Sequence, residues 1–448
     1  MLKMKFLLPA FCVLSLCGCS SVGSLFSSAE PEKRLEGERI SVLELQKTLG
    51  AENPLQEGEQ FTLPNPWPND SWPQAGGYPN HSMQNVSLSD NKLKRAWSTN
   101  IGRGNTKFIP LNASPIVRGK TKTVFTLDTK NKLNALNTDT GKKLWSKYVG
   151  KKSEDDEVIS GGIAYAHDKL FITNGYDELL SLSASTGDII WRKRLPAPSR
   201  AAPTILANRV YVVTIDSRLI ALDANTGNSL WEYRGIGETT GLLGAASPAA
   251  DNDIVIAAFS SGELTALRVE NGSVAWSDNL SNVRGFSGGL ESMSDITAMP
   301  IIDQNIIIAM SFGGKLAAID KRSGTRIWQR EIDGSQTPWT AGNMLYVLSS
   351  DNQLICLNKN DGSIFWISEL QRFKNEKSKK DLIHWTAPIM AQGRLILASS
   401  HGRLLEVNAH NGDIIRTTKL KGSVNLPPVV AGNTLYLLLD SGTLIAYR

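Results

Sequence analysis

Residues 221–231, Ala-Leu-Asp-Ala-Asn-Thr-Gly-Asn-Ser-Leu-Trp, contain the end of a short apolar strand, a tight turn and the start of a second strand. Asp223 can cap the turn with its carboxylate, and Gly227 supplies the positive φ that a tight hairpin needs. The Gly-x-x-x-Trp spacing recurs along the chain at steps of 38 to 52 residues. The copies are Gly141/Trp145, Gly187/Trp191, Gly227/Trp231, Gly272/Trp276, Gly324/Trp328 and Gly362/Trp366, with Gly412/Arg416 as a seventh that lacks the ring. A period of this length predicts one supersecondary unit repeated many times.

The copy around Trp231 shows what one unit contains. It has four short stretches rich in β-branched and aromatic residues, each bounded by Gly, Pro, Asn or Asp. Pro203 precedes the first stretch, and because proline cannot donate to a ladder, that strand is expected to begin there or to lie at a sheet edge. Each unit is therefore predicted to be a four-stranded antiparallel meander.

Eight such units can be counted by their first residues. Seven begin at a proline and one begins near Gly161-Gly162; the prolines are Pro115, Pro203, Pro248, Pro300, Pro338, Pro388 and Pro428. The eighth unit ends at Arg448 before its last strand, and Leu93–Trp97 supplies a matching strand at the other end of the chain. The predicted fold class is all-β: an eight-bladed β-propeller over residues 91–448, closed by an N-terminal strand in the last blade.

The tryptophans of the repeat have two readings. A large ring at a fixed register suits packing between blades, which we favour, whereas a stacking array for a ligand is the alternative. Trp67, Trp72, Trp339 and Trp385 lie outside the repeat and need separate explanations.

The N-terminal residues predict export and lipid attachment. Lys3 and Lys5 precede an apolar run that is too short to span a bilayer, and Leu16-Cys17-Gly18-Cys19 resembles the lipobox of bacterial lipoproteins. Residues 1–18 are the predicted signal peptide and Cys19 the predicted lipid anchor; a plain secretory signal is the alternative. Ser20 favours sorting to the outer membrane, which places the protein on its periplasmic face.

The next two segments are predicted to lack a globular core. Residues 19–63 are rich in Ser and Glu and are expected to form a flexible tether. Residues 64–90 begin with a run of prolines that excludes a regular helix or strand. We expect that segment to lie extended against the propeller, anchored by Trp67 and Trp72.

Composition gives no indication of catalysis or of nucleic-acid binding. Once Cys19 and the signal-peptide cysteines are set aside, only Cys356 remains, so no disulfide framework or zinc site is predicted. The five histidines have no ligand spacing, and phosphate-binding, dinucleotide and nucleophile motifs are absent. The formal net charge of +5 is too weak to indicate a nucleic-acid partner. No catalytic residue, cofactor or metal is predicted.

Two glycine-rich loops are the candidate binding region. They span residues 235–244 and 282–295 and connect neighbouring units, and long loops on a rigid ring are common binding sites. Tolerated insertions without a function are the alternative. The charged runs at 374–381 and 154–157 are expected to be solvated loops, with partner contact as the second possibility.

The repeat Ala-Leu-Asp-x-x-Thr-Gly-x-x-Leu-Trp resembles that of pyrroloquinoline-quinone propellers. Quinoprotein dehydrogenases carry this repeat, and so does the BamB family, the lipoprotein subunits of the outer-membrane β-barrel assembly (BAM) machine. The lipobox, the tether and the solitary Cys356 favour BamB, since the dehydrogenases have an adjacent cysteine pair. Trp72-Pro73-Gln74-x-Gly76, in contrast, is similar to the opening of the dehydrogenases.

The resemblance to BamB implies a non-enzymatic scaffold that binds BamA, and through it the other BAM subunits and nascent outer-membrane proteins. It implies BamA contacts at Leu242, at its neighbour Leu243 and at Asp295. The chain departs from the family pattern at Leu243, where the family has arginine, and at Thr297, where it has a second acid. The alternatives are a periplasmic quinoprotein dehydrogenase and a structural propeller with another envelope partner.

Overall fold

A computed structural model describes residues 49–54, 61–151, 158–237, 245–281 and 295–448. These residues form eight four-stranded antiparallel sheets, and the first strands of most neighbouring sheets contact one another, as in a ring of blades around a channel. The predicted eight-bladed propeller is confirmed. The described residues contain one short 3-10 helix, Gly119–Thr121, and no helix among them is long and apolar enough to cross a membrane.

Blades 1 to 4 follow one another along the chain, each as four consecutive strands. Blade 1 contains Ile116–Arg118, Thr123–Leu127, Lys132–Asn137 and Lys143–Tyr148; blade 2 contains Gly162–Ala166, Lys169–Thr173, Glu178–Ser183 and Ile189–Arg194; blade 3 contains Thr204–Leu206, Arg209–Thr214, Arg218–Asp223 and Ser229–Arg234; blade 4 contains Ala249–Ala250, Ile254–Ala258, Glu263–Arg268 and Val274–Asn279.

Blades 5 to 7 repeat this order, and a separate hairpin lies between blades 6 and 7. Blade 5 contains Ile301–Asp303, Ile306–Ser311, Lys315–Asp320 and Arg326–Arg330; blade 6 contains Trp339–Ala341, Met344–Leu348, Gln353–Asn358 and Ile364–Glu369; the hairpin contains Phe373–Asn375 and Lys380–Leu382; blade 7 contains Ile389–Ala391, Arg394–Ala398, Arg403–Asn408 and Ile414–Lys419.

Blade 8 joins the two ends of the chain. Its first three strands are Val429–Ala431, Thr434–Leu439 and Thr443–Tyr447, and its fourth strand is Arg95–Asn100. Trp97 pairs with Ala446 across this junction. The predicted closure by the N-terminal strand is therefore confirmed, and each of the eight first strands starts directly after the residue that the sequence marks as the start of a unit.

The meander gives the ring two distinct faces. Turns between strands 1 and 2 of every blade, and between strands 3 and 4 of blades 1 to 7, lie on one face, which we call the turn face. Turns between strands 2 and 3 and the connections between blades lie on the opposite face, which we call the loop face. The described stems of both candidate binding loops are thus on the loop face.

The repeated tryptophan packs on the turn glycine of the following blade. A Cβ added to Gly362 would lie 2.7 Å from Trp328, and one added to Gly227 would lie 2.8 Å from Trp191. Six rings also donate Nε1–H to the carbonyl three residues before that glycine; these are Trp97, Trp191, Trp231, Trp276, Trp328 and Trp366. The rings are therefore the packing between blades, as favoured above.

A small residue pairs with each of these tryptophans on the third strand. Trp145, Trp231 and Trp276 are opposite alanines, and Trp366 is opposite Cys356. Cys356 is fully buried, and burial raises the pKa of its thiol, so it fills a small core position rather than serving as a nucleophile.

Residues 67–87 form a plug that crosses the turn-face end of the channel. The plug meets the blades in ring order, from blade 8 through blade 1 to blade 7. Its hydrogen bonds join Asn69 O to Gly432 N, Trp72 to Val117 in both directions, Pro73 O to Tyr165 N, Gln74 Oε1 to Ile205 N, Pro79 O to Ala250 N, Asn80 O to Ile302 N, Gln84 Oε1 to Gly342 N and Val86 O to Gln392 N.

These bonds satisfy innermost strands that would otherwise be unpaired edges. Trp72 is only 3% exposed and stacks on Trp339 with ring centroids 6.3 Å apart. Trp67 donates Nε1–H to Met83 O within the plug at 2.8 Å. The plug is thus packed and hydrogen-bonded as an integral part of the ring.

Candidate partner-binding face

The predicted site residues divide between described and undescribed parts of the chain. Cys19, Leu242 and Leu243 lie outside the described residues, as do 282–294 and the acidic run at 154–157. Asp295 is described: it is 3% exposed, and its carbonyl accepts a hydrogen bond from Phe312 N–H at 2.9 Å. The structure therefore gives the stems of both candidate loops and the position of one predicted contact residue.

Two exposed isoleucines lie on the loop face of blade 3. Ile236 is 61% exposed, and Ile215, in the turn between strands 2 and 3, is 44% exposed. The two segments are joined because Gly235 N–H donates to Ser217 O at 2.8 Å. This apolar patch, Ile215 and Ile236, directly precedes the segment that contains Leu242 and Leu243. Ile236 falls within the predicted candidate loop 235–244, whereas nothing in the sequence marks Ile215, because an isolated apolar residue in a loop has no periodicity.

The buried carboxylate of Glu263 fixes the stem of the first loop. It accepts hydrogen bonds from Ile236 N–H at 2.8 Å, Tyr233 Oη at 2.7 Å and Thr265 Oγ1 at 2.8 Å. Burial, and then the bond to Glu263, raise the pKa of Tyr233, so its phenol stays protonated and donates. A carboxylate with three donors holds Ile236 in place while leaving its side chain in solvent.

The stem of the second loop is also held. Arg326 binds both carboxylate oxygens of Asp278, each at 2.7 Å, and Lys315 Nζ donates to Ser281 O at 2.5 Å. At the other end of this loop, Ile296 is buried, and Phe312 N–H donates a hydrogen bond to the backbone carbonyl of Asp295. Both candidate loops therefore leave from rigid stems on adjacent blades, a typical setting for a binding surface.

A central well opens on the same face. It has a volume of about 380 Å³, is lined by the residues that lead into the first strands, and has Trp72, Gly76 and His81 of the plug at its closed end. Arg200 and Gln336 contribute polar groups to its wall. The channel is thus a blind well rather than a through-pore.

His81 is neutral at the floor of this well. Its Nδ1 lies 2.7 Å from Pro300 O, so Nδ1 carries the proton, and its buried Nε2 has no partner in the described part of the chain. Burial lowers the pKa of His81 to about 4. Among the described residues, no group of three or more His, Cys, Asp and Glu side chains is placed to hold a metal ion.

Comparison with known proteins identifies a family by sequence. Residues 130–368, more than half of the chain, match the family described as outer membrane protein assembly factor BamB. The BamB of Yersinia pestis is 26% identical over 361 residues, which is 79% of this chain and 88% of that protein.

Two solved structures have the same fold. BamB from Moraxella catarrhalis has a TM-score of 0.66 at 21% identity, covering 80% of this chain and all of that chain. The quinohemoprotein alcohol dehydrogenase of Comamonas testosteroni also has a TM-score of 0.66, at 12% identity, covering 84% of this chain and 80% of that chain. At these identities the likeness shows the propeller architecture alone.

Proposed function

Because the chain belongs to the family of the outer membrane protein assembly factor BamB, we propose that it is a non-enzymatic subunit of the BAM complex. In this role it holds its partner BamA, and through BamA the other subunits, while outer-membrane proteins fold and insert. The rigid ring acts as the scaffold, and its loop face carries the binding surface.

The apolar patch is the observation that carries this proposal. Ile236 is 61% exposed although its own backbone is fixed by Glu263. An apolar side chain held outward on a rigid stem loses little conformational entropy on binding and gains by leaving water. We propose that Ile215 and Ile236 bind BamA together with Leu242 and Leu243, and that Asp295 contributes at the stem of the neighbouring loop.

Membrane attachment is the second part of the proposal. Acylation of Cys19 would fix the chain to the inner leaflet of the outer membrane, on the periplasmic face. Its support is the lipobox-like sequence Leu16-Cys17-Gly18-Cys19. Mass spectrometry of the mature N-terminus tests it, and an unmodified Cys19 would contradict it.

Co-purification with BamA tests the binding surface. The variant Ile215→Ser/Ile236→Ser is expected to retain about a fifth or less of the binding affinity, since two exposed isoleucines together contribute about 1–3 kcal/mol. Ile415→Ser is the matched control, because Ile415 is 53% exposed on the outer strand of blade 7. Undiminished binding by the double variant would refute the assignment of this surface.

The dehydrogenase reading is supported by one observation, the blind well with Trp72 and Trp339 beside each other. Addition of pyrroloquinoline quinone and Ca²⁺ with an alcohol and a reducible dye tests it. We expect no dye reduction above the rate without protein, and sustained turnover would overturn the scaffold proposal.

A further inference from the structure

A basic hairpin projects from the loop face between blades 6 and 7. The sequence predicts a solvated loop here, but the structure has two paired strands, Phe373–Asn375 and Lys380–Leu382. Residues 374–382 are all exposed, whereas Ile383, directly after them, is buried. The segment is therefore a defined projection with a buried base.

Several bonds hold this base. The carboxylate of Glu376 accepts from the N–H groups of both Arg372 and Phe373 at 3.1 Å. The hairpin's other acid, Asp381, is exposed, so within this described segment four lysines face one free carboxylate. Ile383 N–H donates to Arg372 O at 2.8 Å, and Trp385 Nε1–H donates to Gln371 O at 2.9 Å. The hairpin thus presents its side chains in a fixed arrangement.

Four lysines point their charge into solvent from this hairpin. Lys374, Lys377, Lys379 and Lys380 are exposed, and within the described ranges none has a carboxylate at ion-pair distance. Two further exposed cations lie in blade 7. Arg403 Nη1 donates to Gln371 Oε1, just before the hairpin, at 2.8 Å, and Lys419 is directly opposite Arg403. Like charges directly opposite one another destabilise a sheet, so this arrangement does not serve the stability of the ring.

The position of these cations favours a protein over a membrane as their partner. The segment that leads into the ring from the N-terminus contacts the turn face. The N–H groups of Glu52 and Asn53 donate to Ile364 O there, and the ring centroids of Phe61 and His410 are 4.9 Å apart. The cations, in contrast, lie on the loop face, which also carries the apolar patch. The apolar patch is on blade 3 and the hairpin lies between blades 6 and 7, so a partner that contacts both must extend across the mouth of the well.

We propose that this basic patch, Lys374, Lys377, Lys379, Lys380, Arg403 and Lys419, binds an acidic surface of the protein partner that also covers the apolar patch. The proposal rests on the proposed function, because it assigns the patch to the same complex. Complementary charge at the rim of an interface accelerates association and fixes orientation. The apolar patch supplies contact area, and the basic patch selects a partner with matching negative charge.

The test compares two variants of the full chain in binding to BAM complex purified without this subunit. In one, Lys374, Lys377, Lys379 and Lys380 are replaced by glutamine, and in the other by arginine, which keeps the charge. At low salt we expect the glutamine variant to bind about tenfold more weakly, mainly through slower association, and the arginine variant to bind like the parent. The gap between the glutamine variant and the parent should narrow as salt is raised.

The possible failures are distinguishable. If the parent chain itself does not bind the complex, the proposed function fails. If the parent binds and the glutamine variant binds equally well at low salt, the assignment of the basic patch fails alone. Sedimentation with phosphatidylglycerol vesicles is the second arm: a loss of vesicle binding in the glutamine variant, with complex binding unchanged, would assign the patch to the membrane and overturn the proposal.

Discussion

Glu406 and Arg416 face each other across the last two strands of blade 7, with Arg416 Nη1 3.0 Å from Glu406 Oε1. At the same register the other blades pair a tryptophan with a small residue. The ring of each preceding blade packs on the turn between strands 3 and 4 of the next blade, but blade 8 has no such turn, because its fourth strand comes from the other end of the chain. An ion pair replaces the ring where the ring would have nothing to pack on.

Replacement of Glu406 by alanine is expected to destabilise the protein by about 3 kcal/mol or more. Glu406 is 2% exposed and also lies 2.9 Å from Arg394 Nε. Its removal leaves two guanidinium groups close together, and among the described residues only the exposed carboxylate of Asp90, 3.9 Å from Arg394 Nη1, remains as a nearby acid. Urea denaturation measures the change. Arg416→Leu should cost less, since Arg416 is partly exposed, and Glu406→Ala/Arg416→Trp should not exceed the parent in stability. A gain from that double variant would contradict the explanation by the missing turn.

Alanine at Gly362 is expected to cost about 1–3 kcal/mol more than alanine at Gly393. Both glycines have positive φ, at +75° and +69°, so the backbone strain is similar. Only at Gly362 would the added Cβ lie within 3 Å of a neighbouring ring, that of Trp328. The difference between the two free energies of unfolding isolates the contact between blades, and equal values would show that the ring moves aside freely.

His81 makes stability depend on pH between about 6.5 and 4. Burial lowers its pKa to about 4 in the folded protein, so in this window the unfolded chain takes up a proton and the native protein does not. The contribution of His81 to the free energy of unfolding is fully present above pH 6.5. It is lost as the pH falls towards 4, by on the order of 3 kcal/mol in all. His81→Asn should weaken this dependence in denaturant titrations at pH 4.5 and 7.5. Asparagine is chosen because His81 has φ +60°, which asparagine tolerates. Identical pH profiles for variant and parent would contradict the assignment.

Hydrogen exchange should show that the plug protects the innermost strands. The amides of Tyr165, Ala250 and Ile302 donate to plug carbonyls, so we expect slow exchange although their strands are at sheet edges. Trp72→Ala, which removes a buried ring from the plug, should accelerate these three amides. The amide of Val212, within the second strand of blade 3, is the internal control. Equal acceleration at Val212 would indicate general destabilisation rather than local release.

The parts of the fold that repeat could be predicted, and the parts that do not repeat could not. Glycine, proline and tryptophan mark the turns, first strands and packing of each blade because the same local constraint recurs. Arg416 is visible in the sequence as an exception, but its partner Glu406 is not. The plug bonds depend on backbone groups of all eight blades, so no local pattern in residues 67–87 predicts their path.

The candidate site was predictable only in outline. Connections longer than the repeat requires identify the loop face, whereas the exposure of Ile236 depends on the bond network around Glu263. The hairpin after blade 6 was missed as a structured element because its strands are only three residues long and strongly charged.

The path of the plug also dictates when the molecule can finish folding. Asn69 is synthesised early, yet its hydrogen-bond partners Val430 and Gly432 lie within twenty residues of the C-terminus. The strand of Trp97 likewise cannot pair until Ala446 has been synthesised. Contacts between such distant segments give a high contact order, which is associated with slow folding. The native ring therefore cannot close until nearly the whole polypeptide is available, and a chain truncated near its C-terminus leaves its own N-terminal residues unpaired as well.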